Sequence, residues 1–173
     1  MNLYTLTLNT LPVTLKRVLL AMLITMTIGV SMGLGLVFIT TSAQPDGITS
    51  HYQGDKPVDE FEIPEKYPMP VKELLITTHN HVLTFTFIFG ILAVLIQFSS
   101  RLSRSMQQSL GLEPFLSILF TFGSMWGIRF IHSGFVWLML ASSTVMYLSF
   151  YIMVAVLVMD LTGRSVLEKR IID

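Results

Sequence analysis

Four apolar runs constrain this chain more than any other feature. Val18 to Thr41 carries no charged residue, Leu74 to Phe98 none beyond its histidines, and Phe135 to Met159 none. The fourth run, Phe115 to Ile131, is shorter and contains Arg129. About 20 apolar residues in a helix cross the ~30 Å hydrocarbon core of a bilayer, at ~1.5 Å per residue. Three runs meet that length outright, and the short one follows Pro114, a residue suited to the first turn of a helix. The expectation is an all-α membrane protein, a four-transmembrane-helix bundle forming one domain over residues 1–173. Its helices would lie at about 18–41, 74–98, 115–131 and 135–159, with an acidic, proline-rich outer loop at 42–73. The first run is too long for a secretory signal, and Thr41-Ser42-Ala43 is a weak cleavage site, so it reads as an uncleaved anchor.

Composition narrows the function. Charged residues make up 13% of the chain, against about 25% in soluble domains. Net charge is zero with no basic cluster, which argues against a nucleic-acid partner. The lack of cysteine excludes disulfides, thiolate metal sites, iron–sulfur clusters and haem attached covalently through Cys-x-x-Cys-His. The eleven methionines are scattered and read as apolar filler. No phosphate-binding glycine loop, nucleophile elbow or zinc-protease helix occurs, so nothing marks a stand-alone enzyme.

Charge in the connections orients the chain. Lys16 and Arg17 precede the first run, Arg101 and Arg104 separate the second from the third, and Arg164, Lys169 and Arg170 follow the fourth. The positive-inside rule puts all three segments in the cytoplasm. The 42–73 segment has seven acids against Lys56, Lys66 and Lys72 and belongs outside. The expected location is the bacterial inner membrane, multi-pass, with both termini cytoplasmic. The outer segment holds Pro45, Pro57, Pro64, Pro68 and Pro70, so it reads as extended and turn-rich.

Placed by depth, the polar residues gather at the outer face. His79 and His81 fall roughly 8–12 Å below the outer edge of their run if Pro70 opens the helix. Arg129 and His132 sit near the outer end of the third helix, and His51 lies in the loop above. The inner half offers only weak polar candidates such as Gln97. Residues two apart on a helix point about 200° from each other, so His79 and His81 cannot serve one ion together. Arg129 and His132 share a face. These residues frame a b-type haem site: His79 or His81 with His132 on the iron, His51 as a substitute, and Arg129 on a propionate. A quinol site using histidine and Glu73, or a copper or zinc site from His51, His79 or His81, and His132, are further possibilities. A cofactor-free reading has the histidines acting as interhelical hydrogen-bond groups in a structural or assembly protein.

Other features suit packing. Gly29-x-x-x-Gly33 and Gly123-x-x-x-Gly127 are small-xxx-small patterns that let helices approach closely. Phe85, Phe87 and Phe89 alternate and are expected to spread over a lipid-facing surface. Polarity confined to one mouth makes a poor transporter or channel.

The elements Ser50-His51-Tyr52-Gln53-Gly54, Pro68-Met69-Pro70-Val71-Lys72-Glu73-Leu74-Leu75 and Thr78-His79-Asn80-His81 occur in that order. This order resembles a group of small four-helix bacterial inner-membrane proteins with a tyrosine–glycine element, a proline-containing loop and a T-H-x-H helix start. Some of them carry a c-type haem motif in the outer region, which this cysteine-free chain lacks. The T-H-x-H start is also similar to histidine-bearing helices of haem–copper oxidase-like proteins. The resemblance implies a respiratory electron-transfer context. The expected function is therefore an accessory or electron-transfer subunit carrying haem b. Its expected partners are the lipid bilayer with a respiratory complex, a quinol or a periplasmic electron carrier.

Overall fold

The computed structural model describes residues 7–55 and 64–163, and every regular element within them is helical. A 3-10 turn at Leu8–Thr10 precedes α1 (Val13–Thr41), α2 (Pro45–Gln53), α3 (Val71–Ile96), α4 (Arg104–Phe130) and α5 (Phe135–Thr162). Lys56, Pro57, Asp59, Glu60 and Glu62 of the outer loop lie outside the described residues, as do Arg164, Lys169 and Arg170.

α1, α3 and α5 are long and apolar enough to cross a membrane. The all-α membrane fold stands, but the expected count of four spans does not follow from length and composition. α4 is 27 residues long, yet it carries Arg104, Gln107, Gln108, Glu113 and Arg129. It also begins eleven residues before the expected start at Phe115. Ser103 caps it, its hydroxyl accepting from Met106 N at 3.3 Å, and satisfies one of the free amides of the first turn. Pro114 is thus a buried residue inside the helix rather than its opening one.

The outer loop also differs from expectation, because α2 lies within it. Ser42 and Ala43 adopt left-handed conformations (φ 55° and 51°), which reverse the chain after α1. Pro45 then occupies the first turn of α2, where its missing N–H costs nothing. Gly47 makes the corner possible: a Cβ there would lie 2.2 Å from the carbonyl oxygen of Thr41.

α4 packs most extensively on α5 and next on α3, whereas α1 touches α5 only lightly. The buried face of α4 contains Gln107, Gly111, Pro114, Ser117, Thr121 and Ser124, while Leu112, Leu116, Leu119 and Phe120 are exposed. These small and polar positions share the buried face with Ile118, Phe122, Met125 and Ile128. Lipid tails are as apolar as leucine, so small and polar residues gain more by meeting another helix than large apolar ones do. Gly127 continues the logic at the α4–α5 hairpin, where a Cβ would come within 2.5 Å of the Phe135 ring.

Two packing expectations change. Phe85 and Phe89 are buried and only Phe87 is exposed, because residues four apart share one helical face. Around Gly29, Gly33, Gly35 and Gly123 an added Cβ would meet nothing within 4 Å, so of the two small-xxx-small patterns only Gly127 serves packing inside this chain.

Candidate functional site

At the end of the bundle that holds α2, the histidines are separated by the helices that carry them. Thr78, on the same helix as His79 and His81, faces α4 and accepts from Trp126 Nε1 at 2.9 Å. His81 is one turn further along that side. Its Nδ1 lies 2.8 Å from Thr77 O, and since a carbonyl only accepts, Nδ1 carries the proton. In the neutral ring Nε2 then keeps its lone pair. The ring lies 5.4 Å from that of Phe122 and 6.2 Å from that of Phe85. His79 is exposed on a different side of α3.

His132 has the opposite tautomer preference. Gly134 N donates to its Nδ1 at 2.8 Å, so the neutral ring carries its proton on Nε2. His132 is exposed beyond the end of α4, ten residues after Phe122, which is roughly 12–15 Å along the helix axis. Two nitrogens on one metal ion lie ~4 Å apart, given metal–nitrogen bonds of ~2 Å. The structure therefore does not bring His81 and His132 together.

Arg129 and His51 serve the loop. Arg129 Nε donates to Met69 O at 3.2 Å, and its guanidinium lies 5.0 Å from the Phe130 ring centroid. His51 lines a shallow depression with Lys66, Tyr67, Met69, Pro70 and Glu73. Burial, then Lys66, hold its imidazole below the ordinary value, with Glu73 opposing. Tyr52 beside it is buried, which pushes its phenol up to about 12. Met69 N donates to Tyr52 O at 3.2 Å, and Asp55 N to Lys66 O at 3.0 Å, tying the strap before α3 to α2. Among the described residues no group of three or more His, Cys, Asp or Glu side chains could hold a metal ion.

The densest polar chemistry lies elsewhere. At the opposite end, the Asp160 carboxylate is almost fully buried, and Ser99 and Ser100 donate to it at 2.5 and 2.9 Å. Arg101 Nε stands 3.4 Å away. Its guanidinium also donates to Met159 O at 3.1 Å. Gln107 is buried there too, with Nε2 donating to Ser99 O at 2.9 Å and Oε1 left without a partner among the described residues. Further along α4, Ser117 donates to Glu113 Oε1 and Ser149 of α5 donates to Oε2 at 2.5 Å. Thr121 and Ser142 then bond across the same interface at 2.8 Å.

This seam between α4 and α5 overturns the expectation that polarity is confined to one end. Glu113 and Asp160 fall just outside the expected helix bounds of 115–131 and 135–159. The readable signal was the four-residue spacing of Glu113, Ser117 and Thr121, which puts all three on one helical side.

No curated protein and no solved structure matches the chain. A family model described as a transmembrane helical domain matches residues 42–166, well over half of the sequence. With its apolar helices and this match, the chain is a multi-pass membrane protein that belongs to the Aq_1264_TM family of transmembrane helical domains.

Proposed function

We propose that the chain is a four-span accessory subunit of an assembly in the bacterial cytoplasmic membrane, not a stand-alone enzyme. The fourth span is α4, which packs on α3 and α5 and buries its polar side against them. Basic residues at Lys16, Arg17, Arg101 and Arg104 support cytoplasmic termini. One observation carries the accessory role. α3 leaves an open apolar groove at Thr86, Phe87, Gly90, Ile91 and Val94, uncovered by any described helix. Phe87 is 70% exposed beside it. A groove opened by glycine suits the ridge of another transmembrane helix. In mild detergent the chain should migrate with a larger complex, and Gly90→Leu should release it as a smaller species. Wild-type protein running as a monomer in native-like lipid discs would sink the reading.

A second reading gives the subunit an electron-transfer role, and the tautomer of His81 favours it. A ring whose Nδ1–H is held by Thr77 O presents Nε2 as a ligand. On this reading His81 would hold a b-type haem together with a ligand from another chain, and the haem would supply one-electron chemistry toward a quinol, a periplasmic carrier or a respiratory complex. The reduced visible spectrum of the purified complex tests this. An α-band lost in His81→Ala but kept in His79→Ala and His132→Ala is the expected result; a colourless complex rejects it.

A further inference from the structure

Glu113 is a carboxylate at the middle of the bundle. Its partner Ser149 stands fourteen residues from the start of α5 and thirteen from its end, about 20 Å from either. With α4 in the membrane, the carboxylate lies near the bilayer midplane. Two hydroxyls, from Ser117 and Ser149, donate to its two oxygens. No cation joins them: the one ion pair among the described residues is Arg101–Asp160.

Among the described residues no cation pairs with it, and on its own helix Arg104 and Arg129 lie nine and sixteen residues away. On α5, Asp160 is eleven residues beyond Ser149 and engaged with Ser99, Ser100 and Arg101. Tyr147 packs edge-on to Phe85, and Tyr151 bonds Ser31. On α3 the titratable residues Lys72, Glu73, His79 and His81 lie at the far end of the helix, as do Asp46 and His51 of α2. Glu113 is half-buried within the bundle, and where such a position faces hydrocarbon a carboxylate needs a proton or a cation.

We propose that Glu113 is an intramembrane proton-binding site, held between Ser117 and Ser149 of the α4–α5 seam. The step is a plain acid–base equilibrium: the carboxylate takes a proton and becomes the neutral acid, and no other bond changes. This site needs only that α4 lies in the membrane, not that the chain has a partner, so its failure and that of the accessory role are separable.

Dicyclohexylcarbodiimide adds to protonated carboxylic acids in apolar surroundings and tests the assignment directly. The full chain in lipid discs should yield one adduct, mapped to Glu113 by peptide mass spectrometry and lost in Glu113→Gln. Labelling should fall as pH rises, and sodium at fixed pH should not protect. Ser149→Ala removes a donor that favours the ionised form, so its labelling profile should move up by about one pH unit, a tenfold gain in proton affinity. Should Glu113→Gln fail to fold, the wild-type profile and Ser149→Ala still decide. No adduct at any pH, an adduct only at Asp160, or protection by sodium would overturn the proton assignment.

Discussion

The α2 end of the bundle and the α4–α5 seam solve the same problem in opposite ways. At the α2 end the histidines are satisfied locally, His81 by its own helix and His132 by its own turn, while Arg129 reaches across to the backbone of Met69. In the seam, side chains from different segments satisfy one another: Asp160 with Ser99 and Ser100, Glu113 with Ser149, and Thr121 with Ser142. A local bond lets a residue remain exposed and dispensable to packing. A bond between helices fixes their register, and losing one partner strands the other in an apolar interior.

The sharpest way to break this contrast is Asp160→Ala. It should destabilise the bundle by about 2 kcal/mol, less than the ~3–5 of a fully buried pair, since Arg101 is 47% exposed and can turn to water. Reversible unfolding in mixed micelles measures it. Gly127→Ala should cost about 2 kcal/mol by forcing the Phe135 ring away from α4. Thr121→Val should cost about 0.6 kcal/mol, the usual worth of an interhelical hydrogen bond in lipid. By contrast, His79→Ala and His132→Ala should each stay within about 0.5 kcal/mol of wild type. If either histidine matters more than Asp160, the contrast between the two regions fails.

The smallest effect concerns pH. His51 is held below its ordinary value of 6.5 in the folded state, so the unfolded chain binds more protons just below that pH. Its contribution is complete above about 6.5 and is lost as pH falls through that value towards the folded one. The effect is small, because the ring is only half-buried. Amide exchange in α2, corrected for intrinsic rates, should quicken on acidification, and His51→Gln should flatten the response.

The spans of α1, α3 and α5 were legible in the sequence because apolar length alone decides them. α4 was only half legible. Arg104, Gln107 and Glu113 read as connection when solvent is assumed around them, whereas in the fold Gln107 is buried and Glu113 accepts from Ser149 of α5. The site suffered similarly. Histidines announce themselves by residue type, whereas Glu113, Ser117 and Ser149 gain meaning only through a tertiary contact. Conversely, the expectation spreads all three phenylalanines over the lipid surface, although the four-residue spacing in the sequence puts Phe85 and Phe89 on one buried side.

The polar positions on the packed side of α4 bear on how the chain is made. On the four-span reading, α4 leaves the ribosome before the helix that supplies Ser142 and Ser149, so it meets lipid with Glu113 lacking its partner across the seam. Its own transfer into the bilayer is then the least favourable of the four. We expect α4 and α5 to enter as a pair closed at Gly127 and Phe135. Chains truncated at Ile131 should leave α4 extractable by alkaline carbonate, and chains extended through α5 should retain it. Biogenesis, on this view, is where the polar seam makes its largest demand.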